Sequence, residues 1–401
     1  MAPSNRRTGL NRRCSRRAAL SGSLAILSTA GCLRLSQTRS GSTGTDDGDP
    51  SGDSASLSAS KVWELRDGVG FSSRVQRLRG SLYATRYDPI GTMRLSESGT
   101  VEQRTGAYGV SQFHPAGFTV EEDLSIVCVN GEATADDTGR VVAFDRPGGT
   151  VSWEFSVPNF HNIDHLVADR DAVYFATRVD LDAPDSSKNR RPNVYAIERS
   201  SGEKRWSTTN VGSSNWLANL DTHGETVYAF HQSGLVAYDK QSGDRTLRKE
   251  MTNGIGAIRN GVAYLSGRPL RAVQLSSFDE QWTTEREKEM SLVPPAVGDE
   301  HVVFADQGGT VYCLKRANGD VVWTATVSTE VTRTPKLRSG LVWIIDDSGL
   351  LQGLDLTNGR TRYTKNVPSD VSFEVLDRTL VVRSEVEESY DSMFVGYRLS
   401  E

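Results

Sequence analysis

The chain has 401 residues, of which 37% are hydrophobic, and 46 basic against 51 acidic residues give it a net charge of −5. Proteins that follow nucleic-acid phosphates normally carry a basic excess, so this balance argues against nucleic-acid binding. The length and the seven tryptophans suffice for a sizeable core, and the 37 glycines indicate many turns.

The N-terminus has the pattern of an export signal. Six arginines and no acid precede the end of the apolar stretch 18–31, which is shorter than the roughly 18 apolar residues that a membrane-spanning helix needs. Arg16 and Arg17, followed by Ala-Ala-Leu, resemble the twin-arginine signal that exports folded proteins. The arginine pairs at 6–7 and 12–13 compete with them for this role.

A cysteine ends the apolar stretch in the sequence Leu-Ser-Thr-Ala-Gly-Cys32, which resembles a lipobox. The nucleophilic thiol would receive the lipid, and the small residues before it would let the peptidase reach the backbone. We therefore predict that residues 1–32 form a lipoprotein signal peptide and that Cys32 anchors the exported protein to the outer face of the cell membrane. The alternative is an unrelated cysteine in a signal peptide.

Residues 33–60 are predicted to form a flexible linker. From Ser36 to Ser60 the chain consists almost entirely of Ser, Gly, Thr and Asp. Such a composition buries too little apolar surface to offset the entropy of ordering. A linker of this kind would hold a folded body away from a membrane surface.

One hairpin pattern recurs from residue 61 onward. In its clearest copies an alternating strand leads to a glycine turn, and a tryptophan follows four residues after the glycine, at Trp153, Trp206 and Trp323. A degenerate copy places Phe278 in the glycine position ahead of Trp282. Turns of this kind tolerate a positive φ and are typical of β-hairpins. The turn glycines are Gly99, Gly149, Gly202, Gly243, Gly319 and Gly359.

A second pattern gives the number of repeats. A β-branched or aromatic strand precedes each hairpin, and eight such strands occur, near residues 82, 126, 173, 227, 262, 302, 341 and 380. Residues 61–401 then provide about 43 residues per repeat, a normal size for a four-stranded propeller blade. The last hairpin lacks its tryptophan strand, which residues 61–65 can supply with Trp63. We predict an all-β, eight-bladed β-propeller closed by pairing of strand 61–65 beside Tyr397.

These hairpins resemble the pyrroloquinoline-quinone (PQQ) repeat, whose motif places Asp, Gly and Trp at fixed spacing. The resemblance covers essentially all of residues 61–401, with Asp145, Asp239 and Asp355 at the acidic position. The family contains quinone-dependent dehydrogenases and non-catalytic propellers of the BamB lipoprotein type. With its signal and linker, the chain looks like a haloarchaeal surface lipoprotein, and 37 arginines against nine lysines fit that source. The resemblance implies a structural role, stacking between blades, for Trp63, Trp153, Trp206, Trp282 and Trp323.

The resemblance also implies which residues a quinone-dependent enzyme of this family would contain. Such an enzyme requires a catalytic Asp beside a calcium ion, and enzymes of the alcohol-oxidising branch also have a vicinal disulfide. The chain has no Cys-Cys pair, and Cys128 and Cys313 lie in apolar strands of nearly opposite blades, so we predict two buried thiols. We predict no catalytic residue, no PQQ and no calcium. The alternative is a PQQ- or metal-dependent oxidoreductase that uses the propeller channel.

Candidate ligand contacts lie on the strands predicted to be innermost. His114 and His161 each precede the next strand by 12 residues, and Asn215 and Trp216 occupy the matching place in the following repeat. We predict that they line the channel and contact a small molecule or peptide, although polar linings are ordinary in propellers. His161, with Asp164 and His165, also offers three zinc ligands, but along a strand the two imidazoles would be about 13 Å apart, too far to share one ion. We therefore predict no metal site.

Longer connections between second and third strands are predicted for four consecutive blades, over 384–393, 87–92, 130–140 and 180–193. They would form a charged, partner-binding rim on half of one face; neutral loop variation is the alternative. The preferred interpretation is a monomeric, exported, lipid-anchored propeller that acts as a non-catalytic binding or scaffold protein for another protein or a surface ligand. The rim charges are Asp136, Asp137, Asp182, Asp185, Glu385, Glu387, Glu388, Arg190 and Arg191.

Overall fold

The computed structural model describes residues 57–70, 73–87, 89–109, 113–131, 139–157, 161–179, 193–208, 211, 217–251, 254–286, 288–291, 293–367, 371–385 and 392–400. The predicted signal peptide with Arg16, Arg17 and Cys32, and most of the predicted linker, lie outside these residues. A search of the described ranges for a helix of the length and apolarity of a membrane span finds none.

The described residues form eight four-stranded antiparallel sheets, which confirms the predicted eight-bladed β-propeller. The strands of blades 1 to 4 are β2 (Val75–Leu78), β3 (Ser81–Arg86), β4 (Ile90–Leu95), β5 (Val101–Tyr108); β6 (Phe113–Val120), β7 (Leu124–Gly131), β8 (Arg140–Asp145), β9 (Val151–Ser156); β10 (His161–Ala168), β11 (Ala172–Val179), β12 (Val194–Glu198), β13 (Lys204–Thr208); β14 (Asn219–His223), β15 (Thr226–His231), β16 (Gly234–Asp239) and β17 (Arg245–Glu250).

Blades 5 to 8 continue the same order, except that the fourth strand of blade 8 comes from the N-terminus. Their strands are β18 (Gly256–Arg259), β19 (Val262–Leu265), β20 (Leu270–Gln274), β21 (Glu280–Thr284); β22 (Ala296–Val297), β23 (His301–Ala305), β24 (Thr310–Lys315), β25 (Val321–Thr326); β26 (Lys336–Arg338), β27 (Leu341–Ile345), β28 (Leu350–Asp355), β29 (Thr361–Asn366); β30 (Phe373–Val375), β31 (Thr379–Glu385), β32 (Ser392–Ser400) and β1 (Ser58–Leu65).

The ring closes as the sequence predicts. Strand β1 pairs antiparallel with β32, and Lys61 faces Tyr397 in the register. The pairing extends to Ser58 opposite Ser400, so the strand begins three residues before the predicted segment. Blade 8 therefore combines both ends of the propeller, and its outer edge is covered by β1.

Each blade packs face to face on its neighbours. Tyr174 of blade 3 and Tyr228 of blade 4, for example, are buried, and the hydrophobic clusters combine residues of two adjacent blades. The first strands of neighbouring blades also contact one another, as β6, β10, β14 and β18 do in succession. First strands therefore surround the central channel, and no blade buries both of its faces without its neighbours.

The turn between the third and fourth strands has the predicted positive φ. The six turn glycines have φ values between 73° and 78°, and Phe278 adopts 60° in the degenerate copy. In the turn of blade 4, for example, the amide of Gly243 donates to the carbonyl of Asp239 at 2.9 Å. The glycine position thus keeps its backbone conformation even where the sequence has lost the glycine.

In five blades, numbers 2, 3, 5, 6 and 8, a repeat tryptophan bonds the blade to the next one. The indole Nε1 of Trp282 in blade 5 donates to the carbonyl of Arg316 in blade 6 at 2.9 Å. A Cβ added to Gly319 of that turn would lie 2.6 Å from the same indole ring. The same bond to the next blade's turn, at 2.8 Å, recurs from Trp63, Trp153, Trp206 and Trp323.

Candidate functional site

The predicted channel residues fall partly within the described residues. His114 and His161 both lie on first strands, β6 and β10, where they pair with Asn130 and Val179. Asn215 and Trp216 lie outside the described residues. The ligand contacts of these four side chains stay a prediction.

The second histidine of the possible zinc set, His165, is held by the backbone. A bulge in β10 lies between Ile163 and His165. The Nε2 atom of His165 lies 2.9 Å from the carbonyl oxygen of Leu217, and burial lowers the pKa of the imidazole. A neutral ring then donates from Nε2, which removes that nitrogen as a metal ligand. No group of three His, Cys, Asp or Glu suited to a metal occurs within the described ranges.

The two cysteines of the propeller are buried free thiols, as predicted. Cys128 lies on β7 and Cys313 on β24, and neither is exposed to solvent. Burial raises the pKa of the Cys313 thiol to about 12 and raises that of Cys128 as well. Thiols in this state are protonated at neutral pH, so they are poor nucleophiles and belong to the core.

Long connections concentrate on one face of the propeller. In an antiparallel blade the second strand ends at the same face at which the first strand begins. The connections between second and third strands run over 132–139 in blade 2, 180–193 in blade 3 and 386–391 in blade 8, whereas those of the other five blades have two to four residues. We call this side the loop face.

One part of the predicted rim is wrong. The sequence places a longer segment at 87–92 in blade 1, but β4 begins at Ile90, inside that segment. The connection after Arg86 therefore has only three residues. The long connections belong to blades 8, 2 and 3, with the short loop of blade 1 between those of blades 8 and 2.

Sequence analysis missed a group of arginines on the loop face. A cavity of about 610 Å³ is lined by Arg74, Arg333 and Arg383, together with His165 of the channel wall. Arg74 and Arg333 each precede by eight residues the leucine at the start of a second strand, Leu82 or Leu341. An arginine at the same position of two repeats is the sequence pattern that could have predicted this group.

A comparison with known protein families gives a match over most of the propeller. The family model described as outer membrane protein assembly factor BamB matches residues 97–279 and 268–392. The outer membrane protein assembly factor BamB of Yersinia pestis is 28% identical over 217 residues, which cover 47% of the chain and 55% of that protein. The match to BamB of Moranella endobia covers 26% of that protein, so the chain spans about half or less of the curated relatives it matches.

Solved structures resemble the chain in fold. The crystal structure of BamB from Moraxella catarrhalis has a TM-score of 0.62 and 12% identity, and the match covers 85% of the chain and all of that structure. A europium-containing methanol dehydrogenase gives a TM-score of 0.59 and 10% identity over 85% of the chain and 93% of the enzyme. At these identities the likeness shows a common propeller fold alone.

Proposed function

Because the chain belongs to the family described as outer membrane protein assembly factor BamB, we propose that it is an exported, lipid-anchored propeller that binds another protein without catalysis. Relatives named as assembly factors support a binding or scaffold role at the cell surface. A quinone-dependent oxidoreductase is the rival, since a quinohemoprotein alcohol dehydrogenase of Pseudomonas putida shares the fold.

The observation that carries the proposal is the asymmetry of the loop face. Three of the eight blades have long connections between their second and third strands, and all three emerge on one side. Loops on a rigid scaffold are the usual carriers of binding residues. The segment 180–193 mixes acids such as Asp182 and Asp185 with Arg190 and Arg191, which suits a polar protein surface.

The N-terminal segment supports an anchored location. Lipid on Cys32 would attach the chain to a membrane, and the linker 33–60 would follow it. Because β1 already begins at Ser58, the linker in this proposal would comprise residues 33–56, and a flexible chain of 24 residues has a root-mean-square length of about 27 Å.

Replacement of the longest loop tests the proposal. We would exchange residues 181–191 for a Gly-Ser segment of equal length and capture partners from solubilised membranes of the native organism. The control exchanges residues 298–300, which connect first and second strands on the opposite face. The proposal predicts at least tenfold less of a specific partner with the first variant and full recovery with the control. An unchanged partner set with the 181–191 variant would contradict it.

Titration with PQQ and calcium tests the rival. The proposal predicts no quinone absorbance on the purified protein and no change in melting temperature when both are added. A stoichiometric quinone spectrum together with a clear thermal shift would count for an oxidoreductase and against a purely binding protein.

A further inference from the structure

A second cavity lies between blades 7 and 8, on the face opposite the loop face. Its volume is about 900 Å³. The turns that join first and second strands contribute Ser339 and Gly340 from blade 7, and Asp377 and Arg378 from blade 8. Because these turns follow the first strands, they lie at the end of each blade away from the long connections. The cavity is therefore separate from the loop face.

The position of this cavity follows from the way the ring closes. At five other junctions a repeat tryptophan bonds to the turn between the third and fourth strands of the next blade. At the junction of blades 7 and 8, Tyr363 on β29 takes the place of the tryptophan. No turn joins the third and fourth strands of blade 8, since β32 and β1 come from opposite ends of the chain. This junction thus lacks both partners of the contact that holds the other five.

Two buried hydrogen-bonding groups in the cavity wall have no protein partner. Trp343 on β27 and Thr379 at the start of β31 both line the cavity, and they are 0% and 1% exposed. Within the described ranges, neither the indole Nε1 of Trp343 nor the Oγ1 of Thr379 has a hydrogen-bond partner. Buried polar groups are normally paired, so two unpaired groups in one wall indicate that a bound molecule completes them.

Trp343 differs in this respect from the other tryptophans that the structure describes. In that part of the chain, five of six indole Nε1 groups donate to a backbone carbonyl, and that of Trp343 is the exception. Gly353 on the paired strand leaves room for its ring, since a Cβ added there would lie 3.2 Å from it. The indole is therefore well packed, and only its polar hydrogen lacks a partner.

The charged side chains around the cavity balance one another. Arg362 pairs with Asp355 at 3.4 Å. A charged ligand of either sign would meet like charges as well as opposite ones. A hydroxyl group suits both, because it donates to a carboxylate and accepts from a guanidinium group. The charged residues of the lining are Arg362, Arg378, Arg398, Glu97, Asp355 and Asp377.

The geometry points to a site for a neutral molecule rich in hydroxyl groups: we propose that this cavity binds a small saccharide. Its oxygens would accept the Nε1 hydrogen of Trp343 and bond to the hydroxyl of Thr379. Leu341 and Leu399 line the same cavity and provide apolar surface for the C–H groups of a sugar ring. The volume lies within the range of small-molecule sites. This site stands apart from the proposed protein binding, and either can fail without the other.

Calorimetric titration of the full chain tests the site. The probes are glucose, galactose, mannose and N-acetylglucosamine, with citrate as a charged comparison. We expect at least one sugar to bind and citrate not to bind. Trp343→Phe keeps an aromatic ring without the N–H, and Thr379→Val replaces the hydroxyl by a methyl group, so each should bind that sugar about tenfold more weakly or worse. Absence of binding by all four sugars at about 50 mM, binding of citrate alone, or equal affinity in all variants would overturn the proposal.

A matched variant separates the ligand contact from a role in folding. Trp153→Phe makes the same change where Nε1 donates to the carbonyl of Arg199 at 2.8 Å. It should bind the sugar as the wild type does, yet melt at a lower temperature than Trp343→Phe, because it loses a hydrogen bond that the fold uses. The sugar should raise the melting temperature of the wild type by more than that of Trp343→Phe.

Equal melting temperatures of Trp343→Phe and Trp153→Phe would show that the fold already satisfies the Trp343 indole, which contradicts the proposal. If Trp343→Phe does not fold, the affinity of Thr379→Val and the sugar-dependent shift of the wild type still decide.

Discussion

At the scale of single residues, the turn glycine of each repeat serves two purposes. Its positive φ closes the hairpin, and in five of the six turns the missing side chain also leaves room for the indole of the preceding blade, whereas Gly149 faces the backbone of Gly106. Phe278 shows that the first requirement can be met by another residue, since it adopts a φ of 60°. A left-handed conformation costs a non-glycine residue roughly 1–2 kcal/mol.

Alanine variants of two glycines distinguish the requirement for a positive φ from the requirement for space beside the indole. Gly319 has a φ of 75° and Trp282 lies where its Cβ would be, whereas Gly340 has a φ of 72° and no atom within 4 Å of that position. We expect Gly340→Ala to cost about 1 kcal/mol of unfolding free energy, and Gly319→Ala to cost about 1–3 kcal/mol more, because the indole must move. Urea unfolding measures both, and equal losses would show that the tryptophan contact adds nothing.

A buried histidine gives the fold a pH dependence. His231 is 1% exposed, and burial, followed by the charge of Arg248, lowers its pKa from 6.5 to about 4. The unfolded chain then binds the proton more readily than the folded one, so stability is lost as the pH falls from 6.5 towards 4. At about 1.4 kcal/mol per pKa unit, the loss approaches 3 kcal/mol.

The variant His231→Gln should lack this component. Its unfolding free energy would fall less than that of the wild type between pH 6.5 and 4, by up to about 3 kcal/mol. Urea unfolding at several pH values measures the difference. Parallel pH profiles of the two proteins would contradict the assignment.

The sequence predicts the residues of the repeat motif, but it does not predict which residues of different repeats lie close together in the folded ring. The spacing of glycine and tryptophan recurs along the chain, so Gly319 and Trp282 are predictable from their own repeats. The cavity arginines come from separate repeats and from different strands of the blade. Arg383, on a second strand, joins Arg74 and Arg333 only when the ring closes, and no local pattern shows that.

At the scale of secondary-structure elements, the closing strand has the largest effect. Strand β1 supplies the fourth strand of blade 8, and its Trp63 donates to the carbonyl of Glu97 in blade 1. Without β1, the edge of β32 is open and the bond between blades 8 and 1 is lost. The sequence predicts this closure because the last hairpin lacks its tryptophan strand.

Truncation tests the closing strand. A chain that begins at residue 66 should lose at least about 3 kcal/mol of unfolding free energy relative to one that begins at residue 57, since it lacks the outer strand of blade 8 and the partly buried indole of Trp63 that packs on the core. A synthetic peptide of residues 57–65 should restore part of the loss. Equal urea midpoints for the two chains would show that the ring does not depend on this strand.

Loop lengths are less predictable than strand patterns. The segment 87–92 contains a proline and a glycine and was expected to be a long loop, yet β4 starts within it at Ile90. A bulge between Ile90 and Thr92 lets the strand begin early. Irregular pairing of this kind depends on the neighbouring strand and is not visible in the local sequence.

At the scale of the whole molecule, the predicted signal peptide is basic and the rest of the chain is acidic. Removal of the predicted signal peptide takes away six arginines and no acid, which changes the net charge from −5 to −11. A net charge of this sign and size favours a well-solvated protein and disfavours nucleic-acid binding.

The anchor has a direct test. Cys32→Ser removes the thiol that would carry the lipid, so the variant should move from the membrane fraction to the soluble fraction when expressed in the native organism. The control Cys128→Ser changes a buried thiol and should stay on the membrane. A Cys32→Ser protein that remains membrane-bound would contradict lipidation at this residue.

The central claim is that the loop face binds a protein. Arg178 and Arg170 are exposed at opposite ends of the β11 region, Arg178 towards the loop face and Arg170 on the opposite face. A photo-crosslinking amino acid at each position, in cells that express the full chain, compares the two faces in place. We predict a discrete partner adduct from position 178 and none from position 170. Adducts from position 170 alone, or from neither position, would contradict the claim.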